Sequence, residues 1–273
     1  MVGDTVIRLG GFNVLVRGRD ALYLANENDI YVGQSLIQYG EYGQEEFDLL
    51  SRLVQPENYV AEIGANVGAH TVRLAKMLGI GGRIVAYEPQ PVVFQALAGT
   101  MALNGLMNVD CFPYGLGTAE GTVMFPSIDY RKANNFGGLS LIDLPDGNRP
   151  IQMVRFDDVY PYDQLDLLKI DVEGMERDVL EGARASIKRF QPLLYVENDQ
   201  PQKSPELIQW LFDVGYRLWW HIPALYNPDN FFANTENIFE NVRNVNMLGV
   251  PESQAVDIAL TEINSKNEFP SSA

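Results

Sequence analysis

Short apolar runs and helical patterns follow one another along most of the chain. A helical pattern repeats apolar residues every three to four positions, whereas a strand shows alternation or a short continuous apolar run. From residue 58 onward the two signals take turns. They predict a first strand that begins at residue 58 and further strands at 83–88, 109–114, 165–174, 192–197, 216–221 and 244–250. The predicted helices lie at 68–78, 91–104, 175–190 and 205–214. This order is typical of the α/β class, in which a mostly parallel sheet carries helices on both faces.

Two regions depart from this order. Residues 5–32 alternate apolar and polar types, which predicts an antiparallel β meander before the main domain. Residues 115–160 break into short β-like pieces at 121–125 and 151–155, which predicts an inserted hairpin beside the functional site. The predicted divisions are an N-terminal meander or arm at 1–40, a main domain at 41–250 that contains the insertion 115–160, and a C-terminal tail at 251–273.

Composition and charge exclude several classes of protein. The 273 residues include 36 acidic and 20 basic ones, a formal net charge of −16, without any Lys/Arg cluster. Binding to nucleic acid needs concentrated positive charge, so no nucleic-acid partner is expected. The single cysteine, Cys111, excludes an intrachain disulfide framework and a cysteine-only zinc site. The N-terminus lacks a secretory pattern and no apolar stretch has the length of a membrane span, so we expect a cytoplasmic protein.

The loop after the first core strand has the features of a ligand-binding loop. Gly64 and Gly68 carry no Cβ, so the backbone can adopt unusual dihedral angles and a ligand can approach it closely. The following helix begins with free N–H groups that favour a carboxylate or phosphate. The G-x-G-x-x-G fingerprint of dinucleotide sites is not met, which disfavours an NAD-dependent enzyme. Glu88 ends the next strand, where a carboxylate can bind both ribose hydroxyls, so the two features predict a nucleoside site without a diphosphate.

A row of charged residues marks the fourth core strand. Lys169, Asp171 and Glu173 share one side of a strand, because side chains alternate with a period of two. Charges inside a central strand are costly unless they are paired or used in function. One interpretation is an ion pair of Lys169 with Asp171 or Glu173, with Glu173 or Glu176 favouring the helix N-terminus. For Asp171 we expect a functional role.

Glu197 and Asn198 end the next predicted strand, where a parallel sheet can bring them close to Asp171. Two carboxylates and an amide offer the oxygen ligands of a hard divalent ion, although no residue spacing fixes a metal here. If a metal is bound, its ligands are expected to be Asp171, Glu197 and Asn198. The same groups can instead orient a substrate hydroxyl and accept its proton.

The two histidines differ in their expected roles. His70 lies in the first turn of a helix, which favours packing or capping over catalysis. His221 follows two tryptophans at the end of a predicted strand. It is either a proton acceptor or a histidine hydrogen-bonded at the edge of the core.

Three irregular segments are candidates for contact with a bound molecule. The segment 31–43 is rich in aromatics and glycine, and it either folds over a cofactor or packs an N-terminal arm. The loop 222–241 is too long to be a simple connection, and the loop 126–140 is an irregular part of the insertion. Their asparagines, including Asn134 and Asn135, suit a polar ring-shaped substrate and suit folded loops equally.

Four stretches form one ordered pattern: Glu62-Ile-Gly-Ala-Asn-Val-Gly-Ala-His-Thr71, Val85-Ala-Tyr-Glu-Pro89, Phe136-Gly-Gly-Leu-Ser140 and Leu168-Lys-Ile-Asp-Val-Glu-Gly-Met-Glu176. Together they closely resemble the FkbM-type S-adenosylmethionine-dependent methyltransferases. The resemblance runs from roughly residue 40 to 200 and more loosely to 250. It implies the class I methyltransferase fold, with a seven-stranded sheet whose last strand is antiparallel. It also implies methyl transfer to a hydroxyl oxygen of a sugar, polyketide or related small metabolite.

The resemblance can be carried over residue by residue. It implies that the methionine end of S-adenosylmethionine is lined by Glu62, Gly64, Asn66 and Gly68. It implies that Glu88 holds the ribose hydroxyls and that Asp171 lies beside the sulfonium. The residues expected to contact the methyl acceptor are Asn134, Asn135, Glu173 and Asn198.

The mechanism that follows as a hypothesis is in-line displacement. An acceptor oxygen attacks the methyl carbon while Asp171, Glu197 or His221 accepts its proton, and most of the acceleration comes from alignment. Two alternatives stay open. One is methyl transfer to nitrogen or carboxylate, including a protein side chain, and the other is a non-catalytic cofactor-binding protein that serves in interaction. The acceptor and the oligomeric state are not fixed by the sequence.

Overall fold

The computed structural model describes residues 5–8, 10–142 and 147–270. Residues 1–4, 9, 143–146 and 271–273 of the predicted arm, insertion and tail lie outside the described residues. The strands are β1 Val6–Arg8, β2 Asn13–Arg17, β3 Leu22–Asn26, β4 Tyr59–Ile63, β5 Arg83–Tyr87, β6 Val109–Phe112, β7 Gly115–Leu116, β8 Gly121–Phe125, β9 Arg149–Val154, β10 Leu167–Ile170, β11 Leu193–Glu197, β12 Tyr216–His221, β13 Asn246–Pro251 and β14 Thr261–Ile263. The helices are α1 Val32–Tyr39, α2 Gln44–Leu53, α3 Ala69–Leu78, α4 Pro91–Leu103, α5 Phe156–Val159, α6 Glu176–Gly182, α7 Arg184–Phe190 and α8 Ser204–Asp213.

The main sheet has eight strands in the order β14-β12-β13-β11-β10-β4-β5-β6. The five neighbouring strands β6, β5, β4, β10 and β11 pair in parallel, and β13 is antiparallel to both β11 and β12. The expected α/β sheet of seven mostly parallel strands with an antiparallel last strand is therefore confirmed. An eighth strand, β14, is added by the segment predicted to be a tail, and it pairs antiparallel with β12.

Helices cover both faces of this sheet, and its central strands β4 and β10 are buried along nearly their whole length. The four residues of β10 are all buried, as expected for a strand covered on both faces. On one face, α1 to α4 and the N-terminal strands form one hydrophobic cluster. On the other face, α5 to α8 form a second cluster. Within the described residues, no helix is long and apolar enough to cross a membrane.

The predicted N-terminal meander is present as β1, β2 and β3, which form a separate antiparallel sheet. The segment 31–43 contains the helix α1, which the sequence pattern did not predict because glycine and aromatics obscure its period. A Cβ on Gly33 would lie 2.1 Å from the carbonyl oxygen of Asn26, so glycine lets α1 approach β3 closely. The helix ends at Gly40, whose φ of 71° lies in the left-handed region.

The insertion and the helix beside it also differ in detail from expectation. The predicted hairpin is present as β8 and β9, and β7 joins it to make a three-stranded sheet. The single helix predicted at 175–190 is two helices, α6 and α7, with a break at Ala183. The carboxylate of Asp157 accepts hydrogen bonds from the N–H groups of Ala185 and Ser186. These bonds cap a new helix start, which explains why α7 begins separately.

One row of residues crosses the sheet where its parallel strands end. In the hydrogen-bonded register the ends of β5, β4, β10 and β11 lie side by side, and β13 and β12 continue the same line. We call the residues at these positions the edge row. They are Glu88, Gly64, Asp171, Glu197, Asn246 and His221. Ligands of such sheets bind outside the carboxyl ends of the strands, so the edge row is where a site is expected.

Candidate functional site

A cleft with two ends opens above the edge row. Its larger end, which we call the polar cavity, has a volume of ≈ 230 Å³. Its smaller end, the apolar cavity, has a volume of ≈ 40 Å³ and is lined by Leu116, Leu139, Leu141, Val172 and Met175. Both ends share Gly64, Glu88, Gly137, Asp171 and Glu173. Predicted site residues that follow three different strands, β4, β5 and β10, therefore meet in this cleft.

Both glycines of the loop after β4 adopt positive φ, 83° at Gly64 and 84° at Gly68, as their flexibility suggested. The space beside them is taken by the protein itself. A Cβ on Gly64 would lie 1.7 Å from the carbonyl oxygen of Asp171, and one on Gly68 would lie 2.6 Å from Met101. Gly64 also lines the polar cavity, whereas Gly68 lines neither cavity. The glycines are needed for close packing of the loop, and their predicted contact with a ligand stays a prediction.

Glu88 lies buried where the two cavities join. Its two carboxylate oxygens accept hydrogen bonds from the backbone N–H groups of Asn66, at 3.0 Å, and Gln90, at 2.8 Å. Burial raises the pKa of Glu88 to about 7 despite these bonds. The Gln90 side chain donates to the carbonyl oxygen of Phe136 at 2.6 Å, which fastens the insertion loop over this part of the cleft. The predicted ribose contact of Glu88 stays a prediction.

Lys169 lies beneath the edge row and is only 2% exposed. Its Nζ lies 3.1 Å from Asp171 Oδ2 and 3.7 Å from Glu62 Oε1, so the predicted Lys169–Asp171 ion pair is present. Burial opposes the charge on Lys169, but the carboxylates of Asp171, Glu62 and Glu46 outweigh it and raise the pKa of the ammonium. Glu62 also accepts a 2.6 Å hydrogen bond from Thr71, and it lines the polar cavity as expected.

Three carboxylates meet at the floor of the polar cavity. Asp171, Glu173 and Glu197 each place one oxygen within 4.8 Å of the others. The strand β10 ends at Ile170, and Glu173 adopts a φ of 57°, so a left-handed turn rather than strand alternation brings its carboxylate to the group. Burial, followed by repulsion from Asp171, raises the pKa of Glu173 to about 8 and that of Glu197 well above its usual value.

Glu176 behaves as the structural interpretation predicted. One of its carboxylate oxygens accepts hydrogen bonds from the N–H groups of Gly174, at 2.9 Å, and Val172, at 3.3 Å. These donors precede the helix α6, so Glu176 holds the turn that leads from β10 into the helix. It does not line either cavity.

A second buried acid, Glu46, was not singled out in the sequence. It is 2% exposed, its carboxylate accepts a hydrogen bond from Asn244 Nδ2, and it lies 3.9 Å from His70 Nε2. Burial raises the pKa of Glu46 to about 7. The signal was present in α2, because Glu46 lies four residues before the buried Leu50 and so shares its inward face.

His70 has more contact with the site than its expected packing role implied. It lines the polar cavity, and its Nε2 lies 3.4 Å from the carbonyl oxygen of Gly43. Burial, reinforced by the positive charges of Lys169 and Arg73, lowers the pKa of His70 well below its usual value. Burial and these neighbouring charges therefore favour the neutral form of His70.

Several predicted residues lie away from the cleft. His221 lines neither cavity, its Nδ1 lies 2.7 Å from the hydroxyl of Tyr195, and burial lowers its pKa to about 4. The Asn198 amide is buried and donates to Ser204 Oγ at 2.9 Å. Asn134 is occupied by backbone hydrogen bonds to the segment 28–30, whereas its neighbour Asn135 lines the polar cavity.

Asn246 is the edge-row residue that the sequence did not reveal. It is 3% exposed, lines the polar cavity and stands opposite Glu197 in the β11–β13 pair. Its Nδ2 has no hydrogen-bond partner among the described residues, and neither has Glu197 Oε2. Buried polar groups are nearly always paired, so these two atoms are candidates for hydrogen bonds to a bound molecule or to water.

The sequence of this region matches a known family. Residues 62–218, more than half of the chain, match the model of the methyltransferase FkbM domain. The chain belongs to the FkbM methyltransferase family. All residues predicted for the site lie within the match except His221, which follows it. The family assignment made from the four stretches is confirmed.

Individual relatives agree with this membership. Methyltransferase sdnD of Sordaria araneosa is 27% identical over 216 residues, which cover 64% of this FkbM-family chain and 80% of the relative. Methyltransferase 1 of Beauveria bassiana (strain ARSEF 2860) is 25% identical over 146 residues, which cover 46% of this chain and 58% of the relative. The solved structure of methyltransferase FkbM from Methylobacillus flagellatus KT has a TM-score of 0.50 and 16% identity, covering 72% of this chain and 44% of that chain. The fold is the class I methyltransferase fold.

Proposed function

We propose that this FkbM-family chain transfers a methyl group from S-adenosylmethionine to a hydroxyl oxygen of a small polar metabolite, such as a sugar or polyketide. The observation that carries the proposal is the convergence of Asp171, Glu173 and Glu197 on a cavity that continues into an apolar one. Such a cleft suits a ligand with a flat apolar end and a cationic end. The family membership supports the same methyl donor.

The residues of the cleft fit each part of S-adenosylmethionine. The apolar cavity suits the adenine ring. Glu88 lies between the two cavities, and each of its oxygens has a further lone pair for a ribose hydroxyl beyond its bond to a backbone N–H. Glu62, Asn66 and Asp171 line the polar cavity next to it, where carboxylates stabilise a positive charge. When bound, S-adenosylmethionine supplies a methyl group on a cationic sulfur.

The remaining part of the polar cavity is proposed to hold the acceptor. Its rim includes the apolar side chains of Tyr31, Leu225 and Val242, and its floor includes Glu197 and Asn246. A hydroxyl group can donate its hydrogen to a carboxylate and accept one from an amide, which is the pairing that Glu197 and Asn246 lack. The proposed proton acceptors are the carboxylates of Glu197 and Asp171. His221 is not proposed in this role, because its Nδ1 contacts Tyr195 outside the cleft.

Cofactor binding can be tested separately from turnover. Calorimetric titration with S-adenosylmethionine should show saturable binding, and Glu88→Ala should raise the Kd about tenfold or more, because each hydrogen bond to a charged group contributes about 1.5–3 kcal/mol. Glu120→Ala makes the same change at an exposed turn and should leave the Kd unchanged. Unchanged affinity in Glu88→Ala removes Glu88 from the ribose site.

Turnover is tested with methyl-labelled S-adenosylmethionine and a metabolite extract. Label should pass to a small molecule as a methyl ether, and Asp171→Asn should abolish this transfer while largely keeping cofactor binding. Label on nitrogen, on a carboxylate or on a macromolecule would contradict the proposed acceptor. Binding without any transfer would instead favour a non-catalytic cofactor-binding protein. Wild-type turnover in Asp171→Asn would contradict the assignment of that residue.

A further inference from the structure

The floor of the polar cavity has the features of a metal site. We infer that Asp171, Glu173 and Glu197 bind a divalent cation that prefers oxygen ligands, such as Mg²⁺ or Mn²⁺. One oxygen from each carboxylate lies within 4.8 Å of the others. Oxygens on opposite sides of a bound Mg²⁺ are about 4.2 Å apart, since each bond is about 2.1 Å long. Adjacent ligands of an octahedral ion are about 3.0 Å apart, so side-chain rotation would have to bring the three oxygens closer together to bind one ion.

The protein supplies little positive charge beside the three acidic side chains at this floor. Lys169 is shared between Asp171 and Glu62, and it is the cation in ion-pair contact with this group. Across residues 5–8, 10–142 and 147–270, no Lys or Arg forms an ion pair with Glu173 or Glu197. Carboxylates held together without a counter-ion repel each other, and a divalent cation removes that repulsion.

A second observation points to a ligand at the same place. Asn246 is 97% buried, lines the polar cavity opposite Glu197, and its Nδ2 has no hydrogen-bond partner in the part of the chain that the structure describes. Glu197 Oε2 is likewise buried and unpaired. The Asn246 side chain lines the polar cavity, so its amide carbonyl oxygen is within reach of an ion at this floor. An amide carbonyl and a free carboxylate oxygen are both ligands that hard divalent cations take.

The expected ligand set differs from that suggested by the sequence. Asn198 is excluded because its amide is buried and bonded to Ser204, whereas Glu173 is included because its left-handed turn aims it at the cavity. Asn246 takes the place of the predicted amide. In the proposed methyl transfer, the ion would bind the acceptor oxygen and make its proton easier to remove. That last role rests on the proposed function, whereas metal binding does not.

The direct test uses Mn²⁺ alone and needs neither cofactor nor acceptor. Metal-free full-length protein is titrated with Mn²⁺, and free Mn²⁺ is followed by its electron paramagnetic resonance signal. One equivalent should bind. Glu173→Gln and Glu197→Gln should each raise the Kd at least about tenfold, and Asn246→Ala should raise it by a smaller factor. Glu206→Gln, at an exposed position on α8, is the matched control and should bind like the wild type.

Each result has a definite meaning. The absence of saturable binding at one equivalent overturns the inference, and so does equal binding by the wild type and both Gln variants. Thermal unfolding of each variant shows whether lost binding comes from lost structure, and two separate variants keep the test valid if one fails to fold. Titration with S-adenosylmethionine in EDTA is run in parallel. It can fail or succeed independently, so failure of the metal site and failure of the proposed function are distinguishable.

Discussion

Glu46→Gln should make the protein more stable at alkaline pH and leave its stability nearly unchanged at acidic pH. Glu46 is 2% exposed, and burial raises its pKa from 4.5 to about 7. The folded state thus holds this proton more tightly than the unfolded chain does. Its favourable contribution is complete below pH 4.5 and is lost as the pH rises to about 7.

The size of the effect follows from the same values. Ionising a carboxyl group whose pKa is 4.5 in the unfolded chain and about 7 in the folded state costs about 3 kcal/mol of folding free energy, at ~1.4 kcal/mol per pH unit. Gln is nearly isosteric and its carbonyl oxygen can still accept the hydrogen bond from Asn244. The variant should therefore avoid this cost and gain about 3 kcal/mol over the wild type at pH 8.

Urea unfolding of the ligand-free protein at pH 5 and pH 8 measures this difference. Glu45→Gln makes the same chemical change at the exposed neighbouring position of α2, so it corrects for the loss of one charge from the chain. A stability difference between Glu46→Gln and the wild type that is equal at both pH values would refute the reasoning. It would mean that the pKa of Glu46 is not raised in the folded protein, as for a carboxylate exposed to solvent.

Two further predictions concern Gly64, in the loop after β4, and Glu88, at the end of β5. Gly64→Ala should destabilise the fold by at least about 2 kcal/mol in urea unfolding, because a Cβ there would lie 1.7 Å from the Asp171 carbonyl oxygen. Gly105→Ala, at a φ of 64° with open space around it, should cost only about 1 kcal/mol, and equal losses would contradict the steric explanation. Calorimetry should also show about tenfold tighter S-adenosylmethionine binding at pH 8 than at pH 6, since the pKa of Glu88 is about 7 and the ionised form accepts the ribose hydrogen bonds. Glu88→Gln should remove this pH dependence, and its persistence in the variant would assign it to another group.

Local sequence was sufficient for the parts of the site that lie at strand ends. Asp171, Glu88 and Glu197 follow apolar runs, and the carboxyl ends of parallel strands meet at one edge, so their proximity could be predicted without any knowledge of contacts. Glu173 was expected near Asp171 because side chains alternate along a strand. Its carboxylate instead lies there because β10 ends at Ile170 and a left-handed turn follows. Alternation along a strand cannot anticipate such a turn.

Strand order explains why His221 lies outside the cleft. His221 ends a strand and lies in the edge row, but β13 separates its strand from β11. Neighbouring strands are about 4.8 Å apart, so His221 is roughly 10 Å from the Glu197 position. β13 follows β11 and β12 in the chain but lies between them in the sheet, so nothing near His221 in sequence reveals this separation. Asn246, which fills the gap, was missed for the same reason.

The contact between the buried polar residues Glu46 and His70 could not be predicted, because they come from two different helices packed on one face of the sheet. Glu46 and His70 lie on α2 and α3, and their contact depends on how these helices rest against each other. A period in the sequence indicates which side of a helix faces inward, but it does not identify the neighbour.

The eighth strand has a consequence for how the protein behaves in solution. β14 pairs with Leu218, Trp219 and Trp220, and so covers the backbone edge of β12, which carries two large aromatic side chains. An uncovered strand edge is a template to which another chain can add, and the risk increases with its length and hydrophobicity. A chain ending before Thr261 would keep every residue of the edge row but expose this template. β14 thus contributes no residue to the edge row, and its expected role is to cover a strand edge that would otherwise favour aggregation.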